Sequence, residues 1–246
     1  MEEKEQSKQH VQVPDPKEED SELKPIDYLV YANIRRYMNK DTHTCWPSIS
    51  TIASKCNCSE PIVRASISKL KKEKLFKVIK RPGQSSMYEF DDLSENFERF
   101  TPAFLDNPNI TTEEKAYLIG LHSKSYKSED YAITTYSNKE IASALNLNVR
   151  SVQRYNKSLQ EKEIMTEIAT SIKDDAGFNV PAKAIDMHKI GQAILYINER
   201  VDNHEDRISN LEKMLELALK ENKSLKKENE LLKSSKEVDY QKEYEF

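Results

Sequence analysis

Glycine is nearly absent from this sequence: there are four in 246 residues, at Gly83, Gly120, Gly177 and Gly191. A dinucleotide-binding turn or a phosphate loop needs several glycines close together between a strand and a helix. These four are scattered, so that class of nucleotide-binding enzyme is excluded. No apolar run approaches the roughly 18 residues of a membrane span. The opening MEEKEQSKQH has no apolar segment, so no signal peptide is expected. Cysteine occurs three times, an odd count that argues against a disulfide framework and for a reducing compartment. No nucleophile–base pair, carboxylate pair with a pocket, metal cluster or nucleotide loop is legible. The expectation is a protein that binds rather than catalyses, with no cofactor and no metal.

Charge is abundant, at 33% of residues, and unevenly placed. The whole chain carries −4, yet residues 25–90 hold 12 basic and 5 acidic side chains, net +7. Residues 1–24 and 91–110 are each −4, residues 111–186 are −1, and residues 187–246 are −2. A local basic excess attracts a polyanion whatever the whole-chain value. Residues 1–24 are polar and acidic, and are expected to be disordered. Residues 91–110 read as a linker. Its Phe97, Phe100, Phe104 and Leu105 predict that it packs down rather than swings freely.

The sequence contains an internal repeat. SISTIASKCNCSEPIVRASISKL, from Ser48, aligns without a gap on SNKEIASALNLNVRSVQRYNKSL, from Ser137, at a shift of 89 residues. Ile52, Ala53 and Ser54 meet Ile141, Ala142 and Ser143. Asn57 meets Asn146, Val63 meets Val152, and Leu70 meets Leu159. Each copy reads as two short helices and a tight turn. Ser137 and Glu140 form a capping box that satisfies the free N–H groups of a helix start. Asn146 can take the left-handed conformation that ends that helix. Ser59 and Asn148 cap the second helices, and Pro61 sits in a first turn, where its missing N–H costs little. Val63, Ile67 and Leu70 face inward in the first copy, and Val152 and Leu159 in the second. Asn156 falls where Ile67 stands. Either Tyr155 fills that space or the second core packs differently.

An apolar-periodic helix precedes each copy: PIDYLVYANIRRYM, and TTEEKAYLIGLHSKSY with its own capping box of Thr111 and Glu114. A strand–turn–strand follows each, through Arg81-Pro82-Gly83-Gln84 and through Asp174-Asp175-Ala176-Gly177. The stretch CWPSISTIASKCNCSEPIVRASISKLKKEKLF thus resembles the winged helix-turn-helix of bacterial, plasmid and phage DNA-binding proteins. That group includes transcription regulators and replication initiators. The resemblance covers residues 25–90 well and 111–186 less well. It implies a mainly α fold with small β-hairpin wings: winged-helix domain 1 over 25–90 and winged-helix domain 2 over 111–186.

The resemblance also implies which residues read DNA. The second helix of each unit enters the major groove and shows its outward side to base edges. In the first copy that side holds Pro61, Arg64, Ala65, Ser68, Lys69 and Lys72, with Ser59 at the cap. In the second it holds Arg150, Gln153, Arg154, Lys157 and Glu161, with Asn148 at the cap. Arg pairs bidentately with guanine and Gln with adenine, so the second copy carries more base readers. Arg81 and Gln84 at the first wing tip reach the neighbouring minor groove or backbone. Asp174 and Asp175 at the second would be repelled there, which leaves a protein partner as the alternative for domain 2. Cys56 and Cys58 align with Leu145 and Leu147, and read as small buried hydrophobes rather than metal ligands.

From Ile190 the apolar spacing changes to a heptad. Ile190, Ile197, His204, Leu211, Ala218, Leu225 and Leu232 take d positions; Ile194, Val201, Ile208, Leu215, Asn222 and Asn229 take a positions. This is a seam some 65 Å long at helical rise, followed by a frayed tail over 234–246. β-Branched residues at a and leucine at d favour a parallel two-stranded coil over 187–233, and a seam Asn fixes its register. Arg200–Glu205, Arg207–Glu212, Glu221–Lys226 and Glu228–Lys233 face each other between g and e positions, all opposite in charge.

The sequence therefore reads as a non-enzymatic, homodimeric, sequence-specific double-stranded-DNA-binding protein of the bacterial cytoplasm, plasmid- or phage-encoded in one reading, acting as a transcription regulator. Two alternatives stand beside it. One is a plasmid or phage replication initiator binding origin repeats. The other is an adaptor whose winged helices contact protein.

Overall fold

The computed structural model describes residues 10–16, 22–93, 96–128, 130–173 and 177–192. All belong to one compact unit spanning Met1–Tyr196. The expected coiled coil lies outside the described residues from Ile194 on, as do Ile197, Val201, Ile208, Leu211, Leu215, Asn222, Leu225, Asn229 and Leu232. No helix among the described residues is long and apolar enough to cross a membrane.

The first half runs from strand β1 (Val11–Pro14) to helix α1 (Pro25–Arg35), strand β2 (Thr44–Cys45), helices α2 (Ile49–Cys56) and α3 (Glu60–Lys72), and strands β3 (Lys77–Ile79) and β4 (Met87–Glu89). Strands β2, β4 and β3 form one antiparallel sheet with β4 in the middle. Strand β5 (Phe97–Phe100) and helix α4 (Pro102–Leu105) fill the stretch between the halves. The second half comprises helix α5 (Thr112–His122), strands β6 (Tyr126–Lys127) and β7 (Tyr131–Thr134), helices α6 (Asn138–Ala144) and α7 (Val149–Glu161), strands β8 (Met165–Ile168) and β9 (Ala182–Asp186), and helix α8 (Met187–Ile190). Its sheet order is β6-β7-β9-β8. Thus β7, β9 and β8 repeat the arrangement of β2, β4 and β3, and β6 is an addition.

The repeat extends to backbone conformation. Asn57 and Asn146 both stand at φ 50°, and Lys74 and Glu163 both at φ 57°. Each pair is separated by the same 89 residues as the sequence repeat. The asparagine ends the first helix of each pair. The Lys74/Glu163 position leads into the following strand and needs a left-handed residue there, although neither side chain advertises it. The three expected helix starts at Thr111, Ser137 and Asn148 are all capped by their side chains, the first two as full capping boxes. Ser59 occupies the N-cap of α3 with extended backbone, but its side chain makes no capping hydrogen bond.

The core joins the two halves. Helix α1 packs on α5, and both are almost entirely buried. Thr112 Oγ1 donates to the carbonyl of Cys56 at 2.8 Å, and Asp106 takes a two-pronged hydrogen bond from Arg36. Tyr31, Phe76, Tyr88 and Phe90 form an aromatic cluster in the first half. Gly120, inside α5, has a packing reason: a Cβ there would sit 2.7 Å from Leu145 Cδ2, so the end of that leucine would have to shift. Cys56 is buried and Cys58 half-buried against the same core, as small hydrophobes. Burial pushes the Cys45 thiol up to about 12 and that of Cys56 further.

The structure corrects three expectations and decides one alternative. Val11–Pro14, within the stretch expected to be disordered, form β1 and pair antiparallel with β5, where Val11 and Val13 are buried. The reason is the apolar alternation of VQVP, overshadowed in the composition by surrounding charge. Ile67 is only half-buried. Ser66 takes the inward position beside Val63 and Leu70, because a buried carboxylate on α1 receives it. Asn156 is itself buried: its amide accepts from Tyr117 Oη at 2.6 Å and donates to Asn138 at 2.9 Å. Tyr155 is half-buried and lies against the Tyr117 ring, so the second core packs differently from the first. Finally, Ile190 is buried in this core, and α8 ends at Gly191, whose φ is 82° and whose Cβ position abuts the Ala103 backbone. Ile190, buried in this core, is therefore not available to a dimer seam.

Candidate nucleic-acid interface

Helices α2 and α3 are set by local chemistry. Ser48 caps α2 by accepting from Thr51 N at 3.0 Å, and Asn57 terminates it in the left-handed region. Cys58 N then closes on the Ala53 carbonyl at 3.0 Å, which brings α3 off at a tight angle. Ile52, Ala53 and Cys56 from α2 and Val63 and Leu70 from α3 bury the seam between them. Lys69, Lys71 and Lys72 occupy the last turn of α3, where cations complement the helix dipole.

The rotation of α3 is fixed by one buried carboxylate. Asp27, 1% exposed, accepts from its own capping-box partner Lys24 N at 2.8 Å, from Ser66 Oγ at 2.5 Å and from Lys69 Nζ at 3.2 Å. With Ser66 held inward, Pro61, Arg64, Ala65, Ser68 and Lys72 are all exposed on the far side, as is the capping Ser59. Lys69 is not among them. It was expected to face outward, but its ammonium turns back to Asp27 because a buried carboxylate needs a counter-charge. Arg64 and Lys72 carry exposed ion pairs to Glu60 at 3.0 Å and to Glu22 at 2.8 Å. Such surface pairs are worth about 0–1 kcal/mol, so a phosphate can replace either acid.

The hairpin after α3 brings in a residue that sequence reasoning missed. The tip turns through Arg81-Pro82-Gly83-Gln84, with Gly83 at φ 70° and Gln84 N bonded to the Arg81 carbonyl at 3.1 Å. Proline followed by a left-handed glycine is the type II pattern. Gln84 is exposed at this tip. Arg81 folds back: its Nε donates to the Ser85 carbonyl at 2.9 Å, and its guanidinium lies 5.7 Å from the centroid of Trp46. Trp46 is 55% exposed. The signal in the sequence was that this is the one tryptophan, set in the short connection before α2.

The second half repeats the geometry with different atoms. Glu114 on α5 accepts from Thr111 N at 2.7 Å, from Ser158 Oγ at 2.7 Å and from Lys162 Nζ at 2.5 Å. Burial alone would raise its carboxyl, but these donors, led by Lys162, hold it below the ordinary range. This lock sets the face of α7. Arg150, Gln153, Arg154 and Lys157 are exposed on it, and Lys157 stands 3.8 Å from Glu161. Arg154 lies 5.1 Å from the centroid of Tyr155, over its ring. Asn148 is exposed, but its Oδ1 is engaged by Ser151 N at 2.7 Å as a cap. Asp174 and Asp175 lie outside the described residues.

Residues 21–75 match the model of a family described as Helix-turn-helix domain. The match spans α1, β2, α2 and α3, the elements around the Asp27 lock. No curated protein matches the chain. The matched segment holds the basic, outward-facing α3, and such a domain implies binding to double-stranded DNA. The chain thus carries a helix-turn-helix domain of the DNA-binding kind over residues 21–75.

Proposed function

We propose that the protein is a sequence-specific regulator of transcription that acts by binding alone. In this reading both halves are winged helices, and the chain dimerises through a parallel coiled coil C-terminal to the described residues. The observation that carries the reading is the face of α3. Arg64, Ser68 and Lys72 are exposed together, on a helix whose rotation the buried Asp27 fixes, inside the helix-turn-helix match. Ser59 begins that helix, Arg81 and Gln84 belong to the hairpin that follows it, and Arg81 with Trp46 forms a cationic-aromatic platform there. Arg150, Gln153, Arg154 and Lys157 supply a second set of base and phosphate contacts.

Binding to duplex DNA measured across salt concentrations tests it. A protein that displaces counterions from phosphates loses affinity linearly in log–log form as salt rises. The double variant Arg64→Ala, Lys72→Ala is expected to weaken binding and flatten that slope by about 2, one per phosphate contact. Salt-independent binding, or a variant that binds normally, sinks the reading.

A second reading is favoured by one feature: both helix pairs sit in a single compact unit, as suits tandem reading of directly repeated sites. This is initiation of plasmid or phage replication. Footprinting separates the two. Protection overlapping a promoter supports regulation, and protection of direct repeats at an origin supports initiation.

A further inference from the structure

Arg35, in the last turn of α1, is 6% exposed. A buried guanidinium is ordinarily matched by a carboxylate, because desolvating the charge is otherwise expensive. Arg35 has none within ion-pair distance among the described residues. Its fork donates to Tyr31 Oη at 2.9 Å and to Gln12 Oε1 at 3.0 Å, both neutral, and its face lies 5.2 Å from the Phe90 centroid.

Arg35 also lines a cavity of about 280 Å³ between β1, the end of α1 and the loop before β2. Arg36, Lys40 and His43 also line it, with Asp92 the one acidic residue. Arg36 is already matched, by Asp106 at 2.6 Å, and Asp92 stands 3.3 Å from His43. Arg35 and Lys40 remain, two cations lining one space, neither of them in an ion pair among the described residues. The C-terminal end of α1 contributes only about half a negative charge against them. Val11, Met38 and Pro102 supply apolar wall. The size is near the lower bound for small-molecule sites.

We propose that this cavity binds a small organic anion, whose phosphate or carboxylate group is held by Arg35 and Lys40 and whose carbon frame lies on Val11, Met38 and Pro102. A guanidinium donates a charge-assisted hydrogen bond to either oxyanion. Gln12 occupies one prong of the Arg35 fork and yields it to a charged acceptor. The site lies on β1 and the loop before β2. The hairpin tip that flanks the α3 face is at the other end of the β3–β4 pair.

The test is calorimetric titration of the full chain, without DNA, using glycerol 3-phosphate, inorganic phosphate and citrate. The expected result is saturable one-site binding of at least one probe. Lys40→Ala should weaken it at least tenfold, and Lys72→Ala on α3 should leave it unchanged. Arg35→Gln should abolish it; if that variant does not fold, Lys40→Ala carries the test, since Lys40 is exposed. Preference for glycerol 3-phosphate or for citrate assigns the ligand as phosphate or carboxylate. No saturable binding of any probe, or equal weakening by Lys40→Ala and Lys72→Ala, overturns the proposal.

Discussion

The Ser66 hydroxyl, on the helix that presents the basic face, donates to the buried carboxylate of Asp27 on α1 at 2.5 Å. This bond couples stability to function, because the atom that holds α3 in place also decides which side chains α3 shows. Ser66→Ala leaves a buried acceptor short of one donor, at a cost of about 1–3 kcal/mol. The expected outcome is a lower denaturant midpoint together with weaker DNA binding, although residue 66 touches no DNA. A midpoint loss with unchanged DNA affinity would show that α3 keeps its rotation without the lock.

Glu114 gives a pH signature. Its carboxyl titrates below the ordinary 4.5 in the folded state, so it is ionised where the unfolded chain begins to protonate. It therefore contributes stability above the unfolded value and loses that contribution as pH falls through the folded one. Glu114→Gln is expected to cost about 1–3 kcal/mol near pH 7, with the difference from wild type shrinking as pH drops below the ordinary 4.5. Denaturant melts at pH 7 and pH 3.5 check this; a constant difference across that range counts against the lock.

A Cβ at Gly120 would meet the end of the Leu145 side chain, which must shift to admit it. Gly120→Ala gains up to about 1 kcal/mol in helix propensity, but overpacks the α5 contact by about 1–3 kcal/mol. Net destabilisation is expected. The variant Gly120→Ala, Leu145→Ala should be less destabilised than the sum of its parts, because the second change removes the clashing methyls. Strict additivity in a double-mutant cycle would mean that the two residues do not meet.

If the second half also contacts DNA, Arg150→Ala with Arg154→Ala should weaken binding and reduce the salt slope by as much as about 2. Full retention of affinity and slope would restrict DNA contact to α3 and its hairpin, leaving α7 for another partner.

The heptad beyond residue 193 makes its own forecast. Replacing Leu211 and Leu215 with proline breaks the helix at consecutive d and a positions. The expected result is half the sedimentation mass, with the DNA-binding unit still folded. An unchanged mass would remove the coil from the reading.

The helix pairs were legible because their signals are local. Capping boxes act over three residues, the turn asparagines over one, and the 89-residue repeat states the pattern twice. Two further features were not legible because their partners are distant in sequence. VQVP gains its strand partner 83 to 89 residues later, at Phe97–Phe100. The carboxylate locks escape the repeat altogether: Asp27 and Glu114 stand 87 residues apart, and Ser66 and Ser158 stand 92 apart, so no alignment at 89 pairs them.

Composition, periodicity and caps thus determined that this chain folds two helix pairs, each followed by a hairpin, with the basic excess on the first. Tertiary structure alone decided the rotation of α3, the inward turn of Lys69, the glycine contact at Leu145 and the buried, carboxylate-free Arg35. The physical reason is burial. A charge or a small residue is unremarkable in a string of letters, and takes its role only when folding removes water and brings distant atoms to within 3 Å or so, where an unmatched partner costs on the order of 1–3 kcal/mol.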